Sequence, residues 1–402
     1  MSRNVVITGL GVVAPNGSTV DAYWTALKNG DCAIRQREFF ADDLSVNQIC
    51  APVDDVDDRI KGLGKDGARA DRVTQLALLA ADEAVDDAGI DFSAGAGARV
   101  ACIIGTGIGG QQTLDKSYIG MLRKGRRPHP SSILKLIPNA PASVISIRHG
   151  LHGPAFAVSS ACASGAHAIG VCADLIRHGS ADIGVAGATE SILTFGAMEA
   201  WRAMHILANE TCRPFSKNRN GLVIGEGAGV FILEEEEHAR KRGAKIYARI
   251  AGFGMNADGK DMINPAVAGA AGAMAFAIDS MRISDPSKIY INAHGTGTLM
   301  NDPTETKAIR QTFGSDADAL IVSSTKSMHG HLLGAAGGIE TVAALMALQE
   351  GVAPPTINYD EPDPECDLNY APNEPVERAF THAISNSFAF GGLNAVLALE
   401  KI

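Results

Sequence analysis

Along the chain, short runs rich in Val and Ile alternate with Ala-rich stretches whose apolar residues recur at helical spacing. Apolar runs without polar alternation suit strands covered on both faces, which is the pattern of an α/β architecture. The runs predict strands at Val5–Thr8, Val100–Ile104, Phe156–Val158, Ile183–Ala186 and Val230–Glu234. Several of them occur twice. "VVITGLG" (5–11) is echoed by "ARIAGFG" (248–254), "IIGTGIGG" (103–110) by "NAHGTGTL" (292–299), "VSSAC" (158–162) by "VSSTK" (322–326), and "GVFILEE" (229–235) by "AVLALEK" (395–401). Four echoes in one order predict a duplicated α/β unit, with halves 1–245 and 246–402. The seam falls in "EEEEHARKRGAKIY" (234–247), whose acidic run reads as the solvated face of a helix. Two such halves about a pseudo-twofold axis bring equivalent strand ends together, so a site built from both is expected.

Composition narrows the functional classes. A chain of 402 residues that is 46% hydrophobic and 20% charged can bury a sizeable core without disulfides or metals. A formal charge of −10 argues against nonspecific nucleic-acid binding, which draws on positive surface. The seven cysteines are odd in number and include no C-x-x-C pair, which fits reduced thiols in a cytoplasm. The N-terminal stretch lacks a charged segment followed by an apolar one of signal-peptide length, and no run of 18 apolar residues occurs. The expectation is a cytoplasmic protein with neither a membrane nor a nucleic-acid partner.

Candidate chemistry starts at "AVSSACASGAHAIG" (157–170), where Cys162 follows a predicted strand and opens a predicted helix. A thiol at a helix N-terminus feels the positive end of the macrodipole, which favours thiolate and suits a nucleophile. In the second half, "INAHGTGTLMNDPTE" (291–305) puts His294 just after a strand. "SSTKSMHGHLLGAAGG" (323–338) puts Lys326, His329 and His331 on the element that mirrors the cysteine turn. His329 and His331 do not share a helix face, and no H-E-x-x-H spacing occurs, so a metal pair is not expected. Near the C-terminus, Phe388 and Phe390 precede Gly391-Gly392, where a backbone N–H beside Phe390 can serve an oxyanion.

Together these motifs resemble the β-ketoacyl-acyl carrier protein synthases of the thiolase superfamily, whose near relatives include nodulation protein E and polyene or polyketide ketosynthases. The resemblance runs over essentially the whole chain. It covers "VVITGLGVVAPNG", "SSACASGAHAIG", "RPFSKNRNGLVIGEGAG", "NAHGTGTLMND", "STKSMHGHLLGAAGG", "PPTINYDEPDPECDLNY" and "NSFAFGGLN". It implies a thiolase-like fold with layered α-β-α-β-α architecture. It also implies a decarboxylative condensation in which Cys162 carries an acyl thioester while His294 and His331 stabilise the enolate derived from a malonyl thioester. Two donors to such an oxyanion are worth about 2.7–4 kcal/mol each.

By the same resemblance Lys326 supports the site electrostatically, paired with Glu305. Thr296 and Thr298 bond the phosphopantetheine arm, Phe388 and Phe390 gate, and Ile108 lines the acyl pocket. No resident cofactor is implied, because phosphopantetheine arrives on the acyl carrier protein. A basic patch of Lys65, Arg69, Arg126 and Arg127 is the expected docking surface for that acidic partner. The resemblance implies a homodimer or, as an alternative, a heterodimer with a noncatalytic chain length factor. Two positions depart from the usual G-F-G-G-T-N motif: Ala389 stands for its first glycine and Leu393 for its threonine.

Overall fold

The computed structural model describes residues 3–92 and 96–402. Most of the Val- and Ile-rich runs become strands that are buried along nearly their whole length, as β1 (Val5–Val13) and β4 (Ile183–Glu190) show at every position, whereas the run at Phe156–Val158 becomes an edge strand that is exposed or half-buried. The first half supplies β1, β2 (Val100–Gly105), β3 (Ala155–Val158), β4 and β5 (Gly227–Glu235). The second supplies β6 (Ala248–Ala257), β7 (Ile289–Asn292), β8 (Ile321–Ser323), β9 (His382–Ala389) and β10 (Leu393–Glu400). They hydrogen-bond in the order β3-β2-β4-β5-β1-β6-β10-β9-β7-β8.

Outward from the middle, each half runs first, fifth, fourth, second, third strand. Strand directions repeat as well. In both halves the second strand is parallel to the third and fourth, and the fifth is antiparallel to the fourth and first. The two five-stranded units join through a short antiparallel pairing of β1 with β6, Val6 opposite Arg249 and Ile7 opposite Ala248. The four sequence echoes fall on the first, second, third and fifth strands. The fourth pair, β4 and β9, carries no echo in sequence, so topology alone reveals it.

Helices α1 (Arg72–Ala88), α2 (Ser164–Arg177), α3 (Phe195–Ala203), α4 (Val267–Ile278), α5 (Asn301–Phe313) and α6 (Ala336–Glu350) complete the layers. Helix α1 lies outside on β1 and β5, and α4 lies outside on β6 and β10. Helices α2 and α6 touch each other and strands of both halves, so they form the central layer of an α-β-α-β-α stack. Helix α6 is buried on almost every side, as a helix between two sheets must be.

The central crossing depends on glycine. A Cβ on Gly165 would stand 2.7 Å from the Gly338 amide nitrogen, and one on Gly337 would stand 2.6 Å from that of Ala166. Gly165→Ala is therefore expected to destabilise the fold by about 1–3 kcal/mol through overpacking. A lower urea midpoint at unchanged slope is the readout, and an unchanged midpoint would show that the helices separate freely.

The acidic run at the seam departs from the solvated face read from sequence. Glu234 ends fully buried in β5, paired with Arg242 at 2.5 Å and with His238 at 2.7 Å. Glu236 is buried against Arg240 and Arg249. The arginines among these partners sit on the following turn and on β6, so desolvation is offset by charge-assisted bonds that a run of identical letters cannot reveal.

Candidate active site

Cys162 sits in the tight turn between β3 and α2, and the turn is strained. Ala161 holds φ at +48°, a left-handed conformation that a residue with a Cβ adopts only under constraint. Helix α2 begins at Ser164, two residues beyond the thiol, and Cys162 is 5% exposed. Burial dominates the thiol, pushing it up to about 12. Lys326 pulls the other way, Glu190 and Glu340 add to the rise, and the Phe390 backbone N–H, which reaches the sulfur, opposes it. Burial thus works against the thiolate that a helix N-terminus favours, and helix α2 begins two residues beyond the sulfur.

The imidazoles come from the second half. His294 follows β7, and its ring stands 5.2 Å from that of His331 at 85°, with Phe388 at 6.0 Å on its other side. The His331 backbone is locked to the strand-like segment at 223–225, donating to the Val223 carbonyl at 2.6 Å and accepting from the Gly225 amide at 2.9 Å. Burial holds both rings well below the usual histidine range, and the Lys326 charge deepens the effect. Both are neutral imidazoles near pH 7. A neutral imidazole donates one N–H to a developing oxyanion without first losing a proton.

Lys326 occupies the β8 turn equivalent to the Cys162 turn after β3. It is fully buried and pairs with Glu340 of α6 at 2.5 Å, not with Glu305 as expected. Glu305, on α5, instead accepts the backbone N–H groups of His294 at 2.8 Å and Gly295 at 2.7 Å, and the Asn386 amide at 3.0 Å. Its oxygens are thus engaged in holding the His294 loop, which leaves the lysine to the carboxylate one helix away. Burial raises Glu340 to about 7 against the pull of Lys326.

One cavity of about 260 Å³ gathers the set. Cys162, His294, His331, Phe388, Phe390, Thr296 and Thr298 all line it, and the two threonine hydroxyls lie 3.0 Å apart. Its mouth is marked by the exposed Leu299, Met300 and Ile263. Ile108 does not line this cavity; it is 43% exposed on the loop after β2. His329 is buried outside it, its Nδ1 2.8 Å from the Gly330 carbonyl oxygen. Ala389 closes the β9–β10 hairpin opposite Leu393, and only Gly391 and Gly392 there need left-handed φ. Alanine at 389 therefore costs no backbone strain.

Arg126 and Arg127 line a surface cavity with Thr113, Lys116 and Lys135, and Lys65 and Arg69 are exposed on and beside the short helix Gly64–Ala68; the Thr113 amide donates to Asp71, two residues beyond Arg69, at 2.7 Å.

Sequence reasoning missed Trp201, which lines the catalytic cavity from α3, and Glu190, a buried carboxylate at the end of β4. Glu190 accepts from the Gly107 and Gly334 amides at 2.7 and 3.1 Å and from the Thr106 hydroxyl at 3.1 Å, and burial raises it to about 7. A lone Glu after an apolar run gave no signal; its place on the fourth strand, the pair without a sequence echo, hid it.

Comparison with known proteins agrees with this geometry. Residues 2–239 match the model of the β-ketoacyl synthase N-terminal domain, and residues 247–360 that of the C-terminal domain. The chain is 43% identical over 408 residues to nodulation protein E of Rhizobium sp. (strain N33), covering all of both chains. It is 41% identical over 409 residues to 3-oxoacyl-(acyl-carrier-protein) synthase 2 of Coxiella burnetii, covering all of this chain and 99% of that one. Among solved structures, the ishigamide ketosynthase/chain length factor superposes with a TM-score of 0.92 at 31% identity, and a β-ketoacyl synthase from Burkholderia phymatum with 0.89 at 33%, each over the full length of both chains. A buried thiol facing two neutral imidazoles across the seam of a duplicated α/β fold, matched along its length by these relatives, makes this chain a member of the β-ketoacyl synthase family.

Proposed function

We propose that this protein catalyses the decarboxylative condensation of an acyl thioester with malonyl-acyl carrier protein, giving β-ketoacyl-acyl carrier protein. The observation that carries this reading is the single cavity shared by Cys162, His294 and His331, with both imidazoles neutral. In the first step the Cys162 sulfur attacks the acyl thioester, the thiol proton leaves with the departing carrier thiol, and an acyl-cysteine remains. In the second step malonyl thioester loses carbon dioxide, and His294 and His331 donate hydrogen bonds to the enolate oxygen. The enolate carbon then attacks the acyl carbonyl. The tetrahedral oxyanion is held by the Cys162 and Phe390 backbone N–H groups, and its collapse releases the product and expels the cysteine sulfur as thiolate, which takes up one proton from solvent to restore the thiol.

No resident cofactor enters this scheme, since the phosphopantetheine arm belongs to the carrier and passes Thr296 and Thr298 at the mouth. Arg126 and Arg127, beside Lys116 and Lys135, offer the acidic carrier a concentrated cationic surface on a protein of net charge −10. Strand β3 ends the sheet with Phe156 40% exposed, an edge suited to pairing with a second copy. A heterodimer with a chain length factor is the second reading, favoured by the ketosynthase/chain length factor architecture of the ishigamide relative. With Cys162, His294 and His331 all present, this chain would be its active member.

The two imidazoles can be tested separately from the thiol. His331→Ala is expected to slow malonyl decarboxylation by about 10²–10³-fold while slowing acyl transfer to Cys162 far less. Carbon dioxide release and intact-protein mass measure the two steps, and the opposite order of effects would reassign the roles.

A further inference from the structure

We infer that Asn301 is the positioning residue for the loop 294–298, its side-chain amide tying together the two buried carboxylates from which that loop hangs. This rests on the condensing reading above. Asn301 opens α5 just after the loop, is 9% exposed and lines the catalytic cavity. Its amide nitrogen donates to Oδ1 of Asp302 at 3.1 Å and, more loosely, to Oε2 of Glu305 at 3.4 Å. The same two oxygens hold the loop itself. Oδ1 of Asp302 accepts the Gly297 amide at 3.3 Å, and Oε2 of Glu305 accepts that of Gly295 at 2.7 Å. A carboxamide carries two N–H donors, so one side chain serves both carboxylates.

The need for such a donor follows from where the carboxylates lie. Asp302 and Glu305 are three residues apart on α5, which makes them neighbours on one helix face, and both are fully buried. Burial pushes Asp302 up to about 6 and the Glu305 charge adds to the rise, while the Phe215 amide, the Asn301 amide and the Arg219 charge oppose it. Burial raises Glu305 as well, against its bonds from Gly295, Asn386 and His294 and the charge of Lys326. Cys212, Cys366 and Tyr370 also face Asp302, and Glu340 faces Glu305. Among these contacts Asn301 is the neutral side chain that donates to both members of the pair.

The backbone of Asn301 acts in the same place, its N–H donating to the Thr298 hydroxyl at 3.3 Å. Without the side-chain donor, the repulsion within the pair is relieved by proton uptake, and a protonated Asp302 no longer accepts fully from Phe215 and Gly297. The loop then shifts, and with it the His294 imidazole and the Thr296 and Thr298 hydroxyls. Cys162 and the Phe390 amide lie on other elements and keep their places. A displacement of about 1 Å in a reacting group costs on the order of 10²-fold in rate.

The test compares wild type with Asn301→Leu, which removes the donor at similar volume, and with Asn301→Ser, which is smaller and keeps one hydroxyl donor. Carbon dioxide release from malonyl-acyl carrier protein and thioester formation on Cys162 are followed separately across pH. Asn301→Leu is expected to lower kcat for decarboxylation by about ten- to a hundredfold near pH 7, and kcat for acyl transfer by a few-fold at most. Asp302 accepts in its ionised form, so the acid limb for decarboxylation should move to higher pH in this variant and the loss should shrink as pH rises. Asn301→Ser should fall between the two proteins in both respects, and it carries the comparison if the leucine variant does not fold.

Equal losses in both half-reactions with an unmoved limb would reduce Asn301 to packing, and a raised KM for both carriers at unchanged kcat would make it a contact of the carrier arm. Either result, or variants that match wild type, would overturn the positioning role alone. Wild type that forms no thioester on Cys162 and releases no carbon dioxide would instead overturn the condensing reading, and this inference with it.

Discussion

Cys162→Ala is expected to abolish condensation, with turnover falling by about 10⁴-fold or more, while the protein stays folded. The size of the effect follows from the chemistry, since removing the covalent nucleophile removes the acyl-enzyme itself rather than a fraction of its stabilisation. The fold is spared because the change deletes one sulfur from a turn built of small residues, and the backbone N–H that reaches the sulfur belongs to Phe390 in the β9–β10 hairpin rather than to β3 or α2. Intact mass after incubation with acyl carrier protein thioesters should show no adduct, and thermal unfolding should move by only a few degrees. Retained elongation by this variant would sink the mechanism. Because burial holds the wild-type thiol neutral, its labelling by iodoacetamide should also be slow near pH 7 until a substrate enters.

How much of this was legible in the sequence depended on which signals were local. The strands at Val100 and Ile183 could be read because both faces are covered and the letters are uniformly apolar. Cys162, His294 and His331 stood out through motif and echo, and all three meet in one cavity. The partner of Lys326 did not. Glu340 lies inside "AGGIETVAALMALQE", a stretch whose pattern is that of a buried helix, so one acidic letter carried no hint of an ion pair across the core. Trp201 was missed for the same reason: it stacks on Phe390, 189 residues away, and no period in the sequence links the two. The burial that opposes ionisation of the thiol was not legible either, because it comes from residues of both halves packed in one cluster around Cys162.

Lys326→Met is expected to cost the fold about 3–5 kcal/mol, because it leaves Glu340 fully buried without its counter-charge. Urea unfolding measures the loss. The double variant Lys326→Met/Glu340→Met should recover most of it, since a buried pair replaced by apolar residues is often neutral. A single variant as stable as wild type would mean that Glu340 is relieved by something other than the lysine. The same substitution has a catalytic signature. The Lys326 charge holds His294 and His331 down, so its removal raises both, and more imidazolium forms at a given acidic pH. The acid limb of the pH–rate profile should therefore move to higher pH. An unmoved limb, in a variant shown to be folded, would remove Lys326 from the electrostatics of the site.

The turn after the third strand occurs once in each half, with a thiol at its tip in one and an ammonium in the other. Two identical subunits would be obliged to carry the same residue at both tips, and a pair of thiols or a pair of cations would repel or react rather than cooperate. Joining the halves into one chain lifts that obligation. It lets a single symmetric frame hold an attacking group and its counterweight at matching addresses, so the asymmetry needed for chemistry is written in two letters while the scaffold that presents them remains a repeat.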